Sequence, residues 1–471
     1  MENEIPSHTG IKKDVPMNND VISQYMNPGE EIVGFGLGGS ESLTIFLKKP
    51  GNSATIVRKI LSENLITAKW DRDGADVMLA PYKKAKQQAH YLKNLPETVK
   101  PYFPYVDNII ERKVPKSTNG TSATNDGTPE LVNELIYEMS FVGGDEVSEF
   151  IRKYKPPVEA VARLYVVIYR TLNSIVHSNR VRKPSGATLE QSYFRKIEKR
   201  LELSRKTSPR VFSDSLLNTE NIYIDGIKLL NVKALLRRFR SNPNYLQVLE
   251  PLRHTLVMGD ANTENIKISN PDRLLEFINA KDYGFTAEDI GIKFLDPRAI
   301  GFHENGEDLG SDDPMYDNKP WHNSLGQYDV IHSELFDLKT NKNHDGMSVE
   351  VVPHDSHSYS LSYEGIESHF KSVMYDAWDL DNPESDMNKN DPNWIIRFAF
   401  VMGTHFTAMP PFHFHANEDG IMVDSYTHQR RPVAIYAEGI KWLNLTLRML
   451  EGQTSTFYGV SVPFLCSKQV A

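Results

Sequence analysis

The chain has 471 residues, 39% of them hydrophobic and 24% charged, with a formal net charge of −9. This is the composition of an ordinary globular protein, and its negative balance argues against a mainly electrostatic binder of nucleic acid or of an anionic membrane. Cys466 is the single cysteine, which excludes an intrachain disulfide framework and a cysteine-built zinc site.

The opening MENEIPSHTGIKKDV holds no apolar signal core, and no run of about 18 apolar residues could span a bilayer. No membrane association is expected, and a cytoplasmic location is. Residues 1–28 are polar and broken by Pro6, Pro16 and Pro28, so they predict a loose arm. From about residue 30 the chain reads as strand, glycine turn, strand. Glu31-Ile32-Val33 leads into Gly34-Phe35-Gly36-Leu37-Gly38-Gly39-Ser40, then Leu43-Thr44-Ile45-Phe46-Leu47 follows. The glycines spell G-x-G-x-x-G. In a dinucleotide-binding enzyme that turn opens a helix whose N–H groups face a pyrophosphate. Here β-branched and aromatic residues follow instead, which predicts a hairpin. A phosphate-covering loop and a plain flexible turn both fit such a hairpin.

A third strand is expected over residues 54–60, ending near Arg58-Lys59, and good helix formers fill 81–95. Residues 102–114 and 131–142 read as strands on either side of a polar loop at 115–130. After Gly143-Gly144 the pattern turns helical, with long runs over 158–178, 189–205 and 433–452. The expected class is therefore α+β, with a small β-rich lobe over 29–142 and a large, mostly helical lobe over 143–471.

The strongest chemical signal is VMGDANTENIKI at 257–268, followed by FLDPRA at 294–299. Asp260 and Asn265 lie on a loop between short strands, and Asp296 ends a later strand. Phosphoryl transfer needs a carboxylate to take or orient the attacking hydroxyl's proton, and oxygen ligands to hold Mg²⁺ against the phosphates. One Asp, an Asn five later and a second Asp after a strand can supply those three groups.

The pattern G-D-x-N-x-x-N, then a strand and D-P-R, resembles the aminoglycoside phosphotransferase and choline kinase-like branch of the protein-kinase-like fold. The resemblance implies a bilobal kinase-like fold, with Asp260 as catalytic base and Asn265 and Asp296 as Mg²⁺ ligands. It implies that Gly34, Gly36, Gly38, Gly39 and Ser40 cover ATP phosphates and that Lys59 binds them. Strand alternation puts Val57 and Lys59 on one face, which favours Lys59 over Arg58. Ile136-Tyr137-Glu138-Met139 stands where the family's adenine-contacting hinge would be, so Glu138 and Met139 are candidate nucleotide contacts. DPMYDNKPWHNSLGQYD at 313–329 resembles the D-x-x-Y-D-x-x-K-x-x-x-S segment of sugar-directed members. Coverage runs from about 30 to 335.

There are departures from the pattern. Met258 replaces the family's histidine, and Gln87-Gln88 stand where a helix Glu should pair with the lysine; a Gln88–Lys59 hydrogen bond would be weaker than that ion pair. Residues 269–291 look like an insertion that shapes acceptor access. Arg298 is a candidate acceptor contact, and so are Asp313 and Asp317, which form an acidic run with Asp308, Asp312, Glu304 and Glu307 that could cradle a cationic or sugar-like acceptor beside Asp260. Tyr316 and Trp321 would suit stacking on a sugar, though such residues are more often core. Against this stands a plain solvated loop with one helix-capping Asp. His405, His413 and His415 fall close together, with unrelated hydrogen-bonded histidines as the simpler reading and zinc as the sharper one.

The expected activity is ATP- and Mg²⁺-dependent O-phosphorylation of a small hydroxyl compound such as a sugar, amino sugar, amino alcohol or natural-product intermediate. The alternative is a catalytically weak, nucleotide-binding protein of the same fold that acts through partners. A dinucleotide-dependent oxidoreductase lacks the required helix, and a protein substrate lacks an activation-loop pattern after Asp296.

Overall fold

The computed structural model describes residues 11–12, 22–36, 43–62, 64, 81–116, 130–184, 186–298, 310–343, 346–417 and 422–464. It is mixed α+β, with a β-rich N-terminal sheet and a helical C-terminal region. Two compact units divide the chain. The first comprises Met1–Glu146, Asn265–Arg273 and Glu288–Ala299, and the second comprises Val147–Glu264, Leu274–Ala287 and Ile300–Ala471. Among the described residues no helix is long and apolar enough to cross a membrane.

The first unit is built on a six-stranded sheet of β1 (Ile11–Lys12), β2 (Glu31–Gly36), β3 (Leu43–Lys48), β4 (Thr55–Ser62), β5 (Val106–Pro115) and β6 (Leu131–Ser140), in the order β1-β2-β3-β4-β6-β5. β2 and β3 pair antiparallel, so the glycine run leads from strand to strand and not into a helix. One part of the expected loose arm is not loose. Ile22 and Tyr25 pack with Phe35, Ile45, Leu47, Ile60 and Ile136, and the Tyr25 hydroxyl donates to Glu134 at 2.7 Å. Two apolar residues one helical turn apart are enough to pin that short segment, although its polar neighbours mask them in the composition.

A small three-stranded sheet completes this unit: Ile292–Phe294, Ile266–Ile268 and Asp145–Glu146, in that order. Its close fit explains Gly144. That residue has φ +92°, and a Cβ there would lie 2.0 Å from the Ile268 carbonyl oxygen. Gly144→Ala is expected to cost at least about 1–3 kcal/mol, because it combines left-handed strain with a clash against backbone that has nowhere to move. Urea denaturation checks this by a lower midpoint.

The second unit is dominated by the helices Val158–Thr171, Arg195–Thr207, Trp394–Ala408 and Arg430–Leu450. All of Trp394–Ala408 is buried. It lies so close to Arg430–Leu450 that a Cβ on Gly439 would sit 2.6 Å from the Thr407 nitrogen. Tyr316 and Trp321 are core residues, and the Trp321 ring packs edge-on against Tyr165 at 4.9 Å. They are not available to stack on a sugar. This unit also contains a four-stranded sheet that the helical pattern concealed, made of Asn221–Ile224, Ile227–Leu230, Phe336–Asn343 and Gly346–Pro353.

Candidate functional site

In the first unit, the β4–β6 register sorts the candidate residues by face. Val57 pairs with Met139, Arg58 with Glu138 and Lys59 with Tyr137. Neighbours in a strand point to opposite sides, so Lys59, Tyr137 and Met139 are segregated from Arg58 and Glu138. On the latter side Arg58 is fully engaged. Its guanidinium donates to Glu30 at 2.7 Å, to Glu138 and to the Tyr25 carbonyl. Lys49 adds a second cation to Glu138 at 2.7 Å. Burial works against the Glu30 carboxylate, yet Arg58 and the Asn27 donors hold it down at about 2. The Glu138 side chain thus belongs to a structural ion network on the face opposite Lys59, which leaves Met139 as the hinge candidate on the lysine's face.

Arg58 and Lys59 should therefore fail differently. The Arg58 and Glu30 side chains are 4% and 2% exposed, so Arg58→Met strands buried carboxylates and is expected to cost about 3–5 kcal/mol. Lys59→Met leaves a carboxylate, Asp296, that is 45% exposed and can be hydrated. It should change stability little and turnover strongly. Thermal unfolding and ADP release measured on both variants separate the two cases, and the reverse pattern would mean that Arg58 is the phosphate ligand.

Asn265 and Asp296, far apart in sequence, come to the same end of one antiparallel pair. Ile266 opposes Phe294, and the Leu295 N–H donates to the Asn265 carbonyl at 2.7 Å, one residue before Asp296. Asp296 sits at φ +47°, a left-handed conformation that Asp and Asn tolerate better than other side chains. Lys59 meets it with Nζ 2.7 Å from Oδ1. Burial alone would lower the Lys59 pKa, but the adjoining Asp296 carboxylate and the Tyr137 hydroxyl outweigh it and hold the ammonium above its ordinary range. The helix Pro81–Lys93 contributes Gln88, whose amide nitrogen reaches Asp296 Oδ1 at 3.4 Å and the Pro297 carbonyl at 3.2 Å. Its amide oxygen accepts from the Tyr137 hydroxyl at 3.0 Å. Gln88 is thus spent on Asp296, Pro297 and Tyr137, and the bond expected between Gln88 and Lys59 is replaced by a direct Lys59–Asp296 ion pair.

The intervening segment 269–291 keeps this pair in register by closing on itself. Ser269 N–H donates to the Gly291 carbonyl at 3.0 Å, and Asn270 N–H to that of Ile290 at 3.1 Å. Its middle belongs to the second unit, where Phe285 is fully buried and its carbonyl accepts from Arg163 at 2.8 Å. Of the glycine loop, Gly34 and Gly36 lie in β2, beside an irregularity in the β2–β3 pairing between Ile32 and Gly34. A Cβ on Gly36 would press on Thr44 at 2.9 Å. Gly38, Gly39 and Ser40 lie outside the described residues.

In the second unit, the turn that carries Asp260 is anchored from below. Asp317 accepts from the backbone N–H of Met258 at 2.8 Å and of Gly259 at 2.7 Å, and His177 Nε2 lies 3.0 Å from the same carboxylate. Asp317 therefore shapes the loop and is not free for an acceptor. Asp313 is spent in the same way. It accepts from the Tyr193 hydroxyl at 2.7 Å and the Met315 N–H at 3.0 Å, and it pairs with Arg397. Asp312 accepts from Ser192 and from the Asp313 N–H, and burial pushes its carboxyl up to about 6. All three are buried. The expectation of an acidic cradle formed by Asp313 and Asp317 is corrected accordingly: their lone pairs are used inside the fold. Asp308 lies outside the described residues.

Asp260 instead faces a cation. Lys319 Nζ bonds its Oδ1, and both side chains are largely buried. The Lys319 ammonium lies 5.5 Å from the centroid of the Tyr316 ring, and Lys196 lies 4.3 Å from the same centroid and bonds the Tyr316 hydroxyl. Two charged amines within about 10 Å, in surroundings of effective dielectric near 20, would repel by at least about 1.5 kcal/mol. Burial, then Arg200 and Lys319, push the Lys196 pKa well below its usual value against the opposing pull of Asp312 and Asp260.

Arg298 lies in the first unit, where its charge acts on Lys59. The three histidines part company. His405 Nδ1 meets His322 Nε2 at 3.1 Å, His413 packs edge-on against Tyr328 at 5.7 Å, and His415 Nε2 lies 3.0 Å from Glu334. No group of three or more His, Cys, Asp or Glu suited to a metal ion occurs among the described residues. Tyr137, Lys196 and Lys319 were missed by sequence reading. Tyr137 was legible from β-alternation alone, and Lys319 stands one position before the Lys of the D-x-x-Y-D-x-x-K pattern, which falls on Pro320 here. Lys196, on an amphipathic helix, gave no signal. No protein-family model and no curated protein matches this chain.

Proposed function

We propose that the chain has a protein-kinase-like fold and is an ATP- and Mg²⁺-dependent O-phosphotransferase for a small hydroxyl compound. The observation that carries this reading is the convergence of Asn265 and Asp296 at one end of a strand pair, with the Lys59 ammonium 2.7 Å from Asp296. One carboxylate and one carboxamide oxygen form a hard-oxygen donor set that suits Mg²⁺, which takes few protein ligands and fills its shell with phosphate oxygens and water. Bound there, Mg²⁺ would neutralise charge on the phosphates.

The chain's own groups have separable tasks. Lys59 neutralises phosphate oxygens, Met139 and the β2 glycines line the nucleotide, and Gln88 keeps Asp296 oriented. Asp260 takes the proton from the acceptor hydroxyl as its oxygen bonds to the terminal phosphorus and the bond to the departing ADP breaks. Asp317, through the Met258 and Gly259 N–H groups, fixes the backbone from which Asp260 projects.

A second reading, a nucleotide-binding protein with weak catalysis, is favoured by one observation. Lys59 is held by Asp296 itself, and the helix Pro81–Lys93 supplies it no carboxylate, its Gln88 amide going to Asp296. The test is a screen of hydroxyl compounds with purified protein and Mg-ATP, read out as ADP release and product mass, beside calorimetric ATP binding. Binding with transfer supports the phosphotransferase, binding without transfer supports the second reading, and no binding overturns both.

A further inference from the structure

Lys196 has no assigned task in phosphoryl transfer. Among the described residues it makes no ion pair, and its amine bonds the Tyr316 hydroxyl. It shares one tyrosine ring with Lys319, the partner of Asp260. Against the same ring, 4.2 Å away, lies His405, which is 4% exposed. His405 Nδ1 is taken by His322, but its Nε2 is buried with no hydrogen-bond partner. An unmet buried ring nitrogen beside two amines is costly unless something arrives to satisfy it.

We propose that Lys196 and Lys319 form an anion-binding subsite beside Asp260, and that the acceptor is a hydroxyl compound carrying a carboxylate or a phosphate. The word acceptor rests on the phosphotransferase reading; the anion subsite does not. The nearby acids oppose the alternative of a cationic acceptor, because Asp312, Asp313 and Asp317 are committed to internal donors and Glu264 is paired with His332 at 3.0 Å. Burial and the neighbouring cations favour the neutral Lys196 amine, and an arriving anion would reverse that bias. Lys196 also lies two residues beyond a π-helical stretch, Leu189–Phe194, a departure from regular helix that is frequent at functional sites.

The test is calorimetry on the full chain without nucleotide, using glycerol 3-phosphate, glycerate, glycerol and choline. At least one of the two anions should bind, and which one does tells phosphate from carboxylate recognition. Glycerol and choline should not bind. Lys196→Met should weaken anion binding at least about tenfold, the loss of one charge-assisted contact. Lys196→Arg should retain it, as should Lys199→Met at an exposed neighbour; if Lys196→Met does not fold, Lys196→Gln takes its place. Binding of choline in preference to the anions, binding of neither anion, or anion binding unmoved by loss of the Lys196 amine would overturn the proposal. ADP release with the same four compounds keeps the two readings apart. Lys196-dependent anion binding without ADP release leaves the subsite standing and removes phosphotransfer. ADP release with choline alone does the opposite.

Discussion

Asp260→Asn is expected to lower phosphoryl transfer by ~10²–10⁴ while Mg-ATP still binds. The amide keeps the shape of the side chain and can accept a hydrogen bond, but it cannot take a proton at neutral pH. The proposed nucleotide and metal contacts, Lys59, Asn265 and Asp296, belong to the other compact unit and retain their own partners. The variant also deprives Lys319 of its carboxylate. Because that pair is not fully enclosed, the cost to folding should fall below the about 3–5 kcal/mol of a completely buried pair. Calorimetric ATP binding, thermal unfolding and single-turnover transfer on the same preparation distinguish lost chemistry from lost fold. Near-normal transfer would take Asp260 out of the reaction.

Asp296→Asn is expected to abolish most turnover and to raise the Mg²⁺ concentration needed for what remains. Asparagine is the appropriate substitute because φ at this position is +47°, which Asn adopts with little strain. Alanine would confound lost charge with a distorted turn. In the variant, Lys59 loses the carboxylate that overcomes its burial, so its ammonium becomes less favoured as a phosphate ligand. Metal affinity and phosphate neutralisation should therefore weaken together. A Mg²⁺ titration of ATP binding and of ADP release, run beside Asp260→Asn, should shift for Asp296→Asn only. A superimposable titration would exclude Asp296 as a metal ligand.

Much of this was legible in the residues, and the failures have physical causes. The hairpin around the glycines and the lysine face of β4 follow from two-residue periodicity, which is local. That Asn265 and Asp296 come to the same end of one strand pair was implied only by resemblance, since nothing local in the sequence joins them. Glu138 was read as part of a hinge, but the same alternation that places Lys59 sends Glu138 to the other side, where Arg58 waits. The acidic stretch at 312–317 resembled a solvated loop because composition does not show that Tyr193, Arg397 and backbone N–H groups supply its donors. The sheet in the second unit had a local signal that went unread. Asp225-Gly226, at φ +51° and +78°, is an Asp-Gly turn between Asn221–Ile224 and Ile227–Leu230. Lys319 and Asp260 meet only through the folded loop.

The first unit is discontinuous in the chain, and this bears on how the protein is made. Residues up to Glu146 can leave the ribosome and form the large sheet, but Asp145–Glu146 still lacks Ile266–Ile268, and Phe103 still lacks the Phe294 ring that lies 5.5 Å from it. At ~5–20 residues per second, synthesis of the missing strands lags by roughly 6–30 s. Through that interval the nascent N-terminal unit carries an open strand edge and an uncovered aromatic face, the features that recruit chaperones or seed aggregation. A truncated translation product ending before Ile266 would hold Lys59 without its counter-ion and Gly144 without the Ile268 backbone that lies against it.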